Sequence, residues 1–416
     1  MSSLGVQGLD RLGVWCGWVL VAAAGLTPLL AWLGPLGFAA LLALVGLLCL
    51  PAVRVRREDG PLAIVLLALV AWAALSSFWS PSRPNELEDI VVLKLAFQLI
   101  LYWAAWQGAR RADPALRRLA LRIFAWGLAA YGVLLLVEAA TGAAVYQTLR
   151  SAVGDPIRPD LARKNVAHGA FVLALLWPVA AAAGWRAGAP WWLAAPMAVG
   201  SAVVAQVFLS DAPVLAVGVA VGVGLLVWTW PRTAPKALAA AAVVLMMLTP
   251  VALLAAMGRF PNLPLSWSER MAYWSYAVER IAEHPLRGWG LDASRTFGPA
   301  IGLHPHNGAL QVWLELGVLG ASLLALAWAI GLRRLAGDQR CLVSAAAAGS
   351  AAVYLFFGAV SFGVWQEWWL ALGALVCTIT ALGHAEAQAT SGSSPSTRRP
   401  NPSKTPGPPK PAVSAS

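Results

Sequence analysis

Long apolar stretches separated by short polar segments run through most of the 416-residue chain. A membrane-spanning helix needs about 20 mainly apolar residues, and by that measure about twelve spans are predicted. They cover roughly residues 12–33, 35–53, 61–79, 89–107, 117–138, 165–185, 190–209, 212–230, 237–257, 308–332, 341–362 and 365–383. Because the runs are continuous rather than alternating, a transmembrane β-barrel is excluded. The pattern predicts an all-α polytopic membrane protein whose first span, beginning near Leu12, is retained rather than cleaved.

The composition supports this fold class. Apolar residues make up 59% of the chain and charged residues 12%, whereas soluble proteins carry roughly 25% charged residues. The 22 Trp and 38 Gly suit interfacial anchoring and close helix packing. The four cysteines show no zinc or redox spacing and are interpreted as packing residues.

The basic residues predict the orientation. Most of the 30 Lys and Arg fall in short segments that share one side if the N-terminus is inside, so both termini are expected in the cytoplasm. The net charge of +11 then reflects topology and attraction to anionic membrane lipids, with no nucleic-acid partner. Residues 1–384 are predicted to form the membrane domain. The Pro-, Ser- and Lys/Arg-rich residues 385–416 are predicted to be a disordered cytoplasmic tail.

The remaining basic residues concentrate in two predicted outer loops, loop A at about 139–165 and the larger loop B at about 258–307. Positive charge on the side that disfavours it indicates an anionic ligand. In loop A the cluster Arg163-Lys164-Asn165 could clamp that anion, or it could be an interfacial charge cluster. Arg158 could substitute for either cation.

Loop B contains a predicted amphipathic helix. Ser266 and Glu269 have the spacing of a capping box, and the helix can run to about His284, before Pro285. Such a helix would lie along the outer membrane surface. Arg270 falls on its apolar side, where it could bind a phosphate bidentately or instead extend to lipid headgroups. The glycine-rich turn after the helix positions Arg287.

Two histidines precede the next predicted span, in the segment His304-Pro305-His306-Asn307. Histidine suits proton transfer near neutrality, so His306 is the candidate general base, with a purely structural histidine as the alternative. We expect His304 to support His306, beside Asn307. Glu315 either orients the histidine or acceptor, or pairs with an arginine.

These residues resemble a known signature. His306-Asn307, nine residues and Gly317-Val318-Leu319-Gly320 are similar to the H-N-x9-G-x-x-G motif of the O-antigen ligase family. The preceding Arg270, Trp274, His284-Pro285, Gly288 and Gly290 resemble a pattern that this family shares with O-antigen polymerases and bacterial O-oligosaccharyltransferases. The resemblance is specific over about residues 266–320.

The resemblance implies a GT-C type glycosyltransferase in the bacterial inner membrane, with one large periplasmic loop holding the active site. Such an enzyme transfers O-antigen from undecaprenyl pyrophosphate to lipid A–core. The family's essential histidine maps onto His306 and its loop-B arginine onto Arg270. A second family arginine maps onto Arg163, although loop A has no motif tight enough to fix that position.

The chemistry expected is direct, inverting displacement. Arginines stabilise the departing pyrophosphate while His306 takes the proton of the attacking hydroxyl. The outer loops have no D-x-D motif, so no metal and no cofactor are predicted. A polymerase or protein O-oligosaccharyltransferase would use the same residues with another acceptor.

A transporter or flippase is the third reading. It would place ionisable residues at mid-membrane, whereas Lys94, Glu138, Asp211 and Glu367 lie near predicted span ends. We also find no internal repeat of the kind that many secondary transporters have. Both observations disfavour this class.

Overall fold

The computed structural model describes residues 3–257, 259 and 265–392. Within these ranges the chain forms α-helices α1 to α14, joined by turns and 3-10 segments without any strand. Their bounds are Ser3–Leu33, Gly37–Cys49, Gly60–Ser76, Val91–Arg111, Pro114–Thr141, Ala144–Ala152, Pro159–Arg186, Ala194–Val207, Asp211–Thr229, Ala234–Ala256, Leu265–Glu283, Gly308–Arg333, Leu342–Val360 and Glu367–Gly392. The predicted all-α fold is confirmed.

Ten helices of the described residues are long and apolar enough to cross a membrane, so the chain is a multi-pass membrane protein. Every predicted stretch coincides with a helix, but α2 and α8 have only 13 and 14 residues. At 1.5 Å per residue they reach about 20 Å, less than the ~30 Å hydrocarbon core. The two predicted spans were too long because 3-10 turns with a proline at or beside them, Leu50–Ala52 and Trp191–Leu193, flank these helices.

Loop A is largely helical. Gly142, in a left-handed conformation, ends α5, and α6 follows at once. Pro159 starts α7 six residues before the predicted span, since proline suits the first turn of a helix. Arg163, Lys164 and Asn165 therefore lie in the first turns of α7 rather than in a loop.

The bundle is built around α7, which is the most buried of the long helices and packs against α5, α8, α13 and α14. Loop B packs as an ordered unit: α11 rests on α10 and α12, and the 3-10 segment Ala293–Ala300 rests on both α11 and α12. Beside loop B, the ends of α3 and α13 meet the starts of α4, α12 and α14. We call this end of the bundle the site end.

The last helix continues beyond the predicted domain boundary at residue 384. α14 runs to Gly392, and the buried carboxylate of Glu386 pairs with Arg117 at 3.2 Å. Helix α14 thus continues eight residues past the predicted boundary, and Glu386 is packed inside the bundle. The rest of the predicted tail, residues 393–416, lies outside the described residues.

Candidate active site

A break in α12 organises the site end. Gly317 has φ 64° and ψ −165°, which interrupts the helix. The carbonyls of Leu314 and Glu315 then accept hydrogen bonds from the backbone N–H groups of Trp289 and Gly290, at 2.9 and 2.8 Å. The segment 285–290 therefore crosses over residues 314–318, and we call this contact the glycine crossing.

Only glycine fits where the two segments touch. A Cβ atom on Gly317 would overlap the carbonyl of Leu286, and one on Gly288 would overlap the backbone of Glu315. Both glycines also have positive φ, which other residues rarely adopt. The two glycine motifs that the sequence analysis quoted separately thus form one contact, which fixes the loop-B turn against α12.

The histidine segment is held immediately before α12. The Asn307 side chain caps the helix by accepting from the N–H of Leu310 at 2.9 Å. The indole of Trp274, on α11, donates to the carbonyl of Pro305 at 2.8 Å. His306 has φ 54°, a strained conformation for a non-glycine residue. Surrounding contacts must stabilise such a backbone.

The ring of His306 has a defined tautomer. Its Nδ1 lies 2.9 Å from the carbonyl oxygen of Ser361. Because a carbonyl can only accept, Nδ1 carries a proton, and in the neutral ring the lone pair is then on Nε2. The half-buried ring stacks against Tyr273 of α11, with 6.3 Å between ring centroids. This arrangement can hold a neutral imidazole ready to accept a proton at Nε2.

His304 helps to hold His306 in place. Its Nδ1 accepts a hydrogen bond from the backbone N–H of His306 at 3.1 Å. The proton of neutral His304 must then reside on Nε2, which lies 3.2 Å from Nε2 of Gln366. Because both nitrogens would be donors, this hydrogen bond requires the Gln366 amide to be turned so that its oxygen, which otherwise has no partner, faces the ring. Burial, reinforced by electrostatic repulsion from the neighbouring His306 and Arg295 when these are protonated, lowers the pKa of His304 to about 4. His304 is suited to positioning rather than to proton transfer near neutrality.

Arg270 lies on the face of α11 that meets the histidine segment. The helix begins at Leu265 and ends at Glu283, close to the predicted bounds, and Trp274, Ala277 and Ile281 are buried. Tyr273 and Trp274, which contact the histidine segment, follow Arg270 by three and four residues and so share its face. The half-buried guanidinium lies over Trp267, 5.5 Å from the ring centroid.

The cations of loop A lie on a different part of the site end. The guanidinium of Arg163 packs beside Gly142, where a Cβ atom would be 3.5 Å from Nη2. Asn165 donates to the hydroxyl of Tyr146 at 3.4 Å. Lys164 is exposed, and Arg158 pairs with Asp160 at 2.6 Å in solvent.

The link from these cations to the histidine segment is indirect. Phe171, seven residues after Lys164 and on the same face of α7, packs against Phe362 at 5.2 Å between ring centroids. Phe362 directly follows Ser361, the residue that holds His306. The structure thus places the middle of α7 at Phe171 beside the histidine anchor, and the described contacts do not bring Arg163 to it.

Arg287 also lies apart from His306. Its exposed guanidinium lies over the ring of Trp79, 5.6 Å from the centroid.

Glu315 has partners other than the predicted ones. The fully buried carboxylate accepts from Ser294 Oγ at 2.6 Å, Gln311 Nε2 at 3.0 Å, the N–H of Asp292 at 2.8 Å and Trp365 Nε1 at 2.6 Å. No arginine appears among these bonds of the described chain, so pairing with arginine was the wrong interpretation. Glu315 instead joins loop B to the α13–α14 turn.

The α13–α14 turn contains residues that the sequence analysis missed. Ser361 and Gln366 contact the two histidines, and the N–H of Val364 donates to Gln311 at 2.9 Å. Gly363 lies against His304, since a Cβ atom there would be 2.9 Å from Cγ of the ring. The signal was a polar and glycine-containing stretch, SFGVWQE, between two apolar runs at the site end.

Comparisons with known proteins centre on the same region. Residues 196–325 match the O-antigen ligase family, a range that includes α11, His306 and the glycine crossing but begins after Arg163. A protein named "Putative polysaccharide ligase" from Rickettsia conorii is 27% identical over 131 residues, which is 28% of this chain and 32% of that protein. Proteins of the same name from Rickettsia typhi and Rickettsia bellii are 26% and 29% identical over 28% of this chain and 32% of their own length.

The chain thus spans about a third of the length of the curated relatives that it matches. The matched range holds the residues that carried the sequence resemblance. Residues 196–325 of this chain are thus similar to an O-antigen ligase domain.

Proposed function

We propose that the protein transfers O-antigen polysaccharide from undecaprenyl pyrophosphate to a sugar hydroxyl of lipid A–core. The reaction would take place at the site end, on the periplasmic face of the bacterial inner membrane, with both termini in the cytoplasm. The observation that carries the proposal is the fixed tautomer of His306, within the range that matches the ligase family.

His306 would act as the general base. The acceptor hydroxyl attacks the anomeric carbon of the donor sugar, a new glycosidic C–O bond forms, and the bond to the pyrophosphate breaks. The hydroxyl proton would pass to Nε2 of His306, the nitrogen that has the lone pair in the neutral ring because Nδ1 donates to the Ser361 carbonyl. Direct displacement of this kind inverts the anomeric centre.

Arginines would stabilise the charge that develops on the departing pyrophosphate. Arg270 is the leading clamp because its helix face contacts the histidine segment. Arg163 and Lys164, at the start of α7, would bind the donor from the other side. Arg287 and Arg158 have smaller roles in this scheme, since Arg158 already pairs with Asp160.

The direct test is reconstitution. The purified protein is incubated with undecaprenyl-pyrophosphate-linked O-polysaccharide and lipid A–core, in EDTA and without ATP. We expect transfer to lipid A–core, with an anomeric configuration in the product opposite to that of the donor, as measured by NMR.

Other products would favour other functions. Extension of the lipid-linked glycan would indicate a polymerase, and glycan on a protein would indicate an O-oligosaccharyltransferase. Movement of the donor lipid across the membrane without transfer would indicate a flippase. Each result would contradict the proposed acceptor.

A further inference from the structure

A cavity with both polar and apolar walls opens at the site end, away from His306. It has a volume of about 270 Å³ and lies between the α3–α4 connection and the turn at Leu291–Asp292. This is close to the ~300 Å³ at which small-molecule pockets begin. The polar part of its lining consists of Ser77, Ser80, Ser82, Arg83, Asp89 and Asp292.

Asp292 is the central polar group of this pocket. Its side chain is 17% exposed, with Oδ1 2.9 Å from Nε of Arg295 and Oδ2 accepting from Ser82 Oγ at 3.3 Å. Burial raises the pKa of this carboxyl group. A carboxylate offers about four acceptor positions, so these two contacts leave it able to accept hydrogen bonds from a ligand in the pocket.

The wall of the pocket is continuous with the candidate active site. The backbone N–H of Asp292 donates to Glu315 at 2.8 Å, and Ser294 donates to the same carboxylate at 2.6 Å. The charge of Arg295, the ion-pair partner of Asp292, helps to lower the pKa of His304. A ligand in the pocket would therefore lie next to the segment that leads to the histidines.

The lining favours a neutral ligand rich in hydroxyl groups. Two carboxylates, Asp89 and Asp292, disfavour a phosphate, and the nearby Arg83 and Arg295 disfavour a bare cation. Phe78, which is 83% exposed at the rim, provides an apolar face of the kind that can cover the C–H face of a sugar ring.

We propose that this pocket binds one sugar residue of the glycan, either in the donor chain or in the acceptor core. This inference rests on the proposed function and assigns it a sugar subsite. Asp292 and Ser82 would contact ring hydroxyls, and Phe78 would pack against the ring.

The test uses Asp292→Asn, because asparagine tolerates the left-handed backbone of Asp292 (φ 63°). Phe78→Ala removes the apolar face. Glu86→Gln is the matched control, since Glu86 is an exposed acid of the same connection outside the pocket lining. The purified full-length variants are titrated with lipid-free core oligosaccharide and with O-polysaccharide released from the lipid carrier, and binding is followed by tryptophan fluorescence.

We expect Asp292→Asn to weaken binding of one of the two glycans by about tenfold or more, because hydrogen bonds to charged groups are strong. Weaker binding of core oligosaccharide would assign the pocket to the acceptor, and weaker binding of O-polysaccharide would assign it to the donor. The KM for the same substrate should rise while kcat changes less than about twofold. His306→Ala should bind both glycans normally.

Unchanged binding of both glycans in Asp292→Asn and Phe78→Ala would overturn the subsite, as would an equal loss in Glu86→Gln. Failure of the proposed function is a separate result: wild-type protein would bind glycan but transfer none.

Discussion

The two cationic regions of the site end differ in how firmly they are held. Around α11 and the start of α12, the backbone crossing, the Asn307 cap, the Ser361 contact and the Glu315 bonds fix the histidine segment. Around α6 and the start of α7, Lys164 is exposed and Arg158 pairs in solvent. The comparison indicates that the proposed base is held in place before any ligand binds, whereas the proposed donor would have to order the α7 cations.

The largest effect is expected for His306→Ala. Loss of a general base lowers rates by about 10²–10⁴-fold, so the rate of glycan transfer should fall by that factor while the variant still inserts into the membrane. Arg270→Ala should also abolish transfer. His384→Ala, which removes a histidine that contacts Ser344 outside the site, is the control. A full lipopolysaccharide ladder from His306→Ala at normal protein levels would show that the assigned role is wrong.

A pair of glycine substitutions compares the packing of the two regions. Gly317→Ala adds a methyl group that overlaps Leu286, whereas Gly154, between α6 and α7, has open space around it. Both have positive φ, so Gly154→Ala should cost only about the 1–2 kcal/mol of a left-handed alanine. Gly317→Ala should cost clearly more, measured as the thermal unfolding midpoint in detergent. Equal losses would mean that the crossing does not constrain the fold.

Acid should destabilise the histidine region through His304. Unfolded histidine takes up a proton near pH 6.5, but folded His304 does so only at about pH 4. The unfolded state therefore binds more protons between these values, and stability falls as the pH drops from about 6.5 to 4. The loss is up to about 3 kcal/mol. His304→Gln should flatten this dependence and His384→Gln should not; identical pH profiles for wild type and His304→Gln would contradict the buried neutral histidine.

The smallest effect concerns the α7 cations. Arg163→Ala should weaken donor binding by about tenfold, as expected for loss of a charge-assisted hydrogen bond. Arg158→Ala should change it less than about twofold, because an exposed pair contributes little. The measurement is the apparent donor affinity at saturating acceptor. Equal donor affinities in wild type and Arg163→Ala would remove this residue from the clamp.

The local sequence pattern predicted the positions of the helices well, because helix formation depends mainly on residues close together in the chain. The apolar runs predicted the helices. The described part of α11 begins at Leu265, so Ser266 lies inside the helix rather than at the predicted N-cap position. The start of α7 was missed because its first turns carry Arg163 and Lys164, which lower the local hydropathy. The same early charges made loop A look longer than it is.

The residues that hold the two histidines in place could not be predicted from the neighbouring sequence. Ser361 is 55 residues from His306, and Gln366 is 62 residues from His304. Nothing in the spacing of the turn SFGVWQE predicts these contacts, because they depend on how α13 and α14 pack against α12. The four hydrogen bonds that Glu315 accepts could not be predicted for the same reason.

The most direct test of the account is an experimental map of the protein with undecaprenyl pyrophosphate bound. We predict that the diphosphate contacts the guanidinium groups of Arg270 and Arg163 together, with Nε2 of His306 open to the space beside the anomeric carbon. A diphosphate bound away from both arginines, or a His306 ring whose Nε2 faces away from the donor, would contradict it.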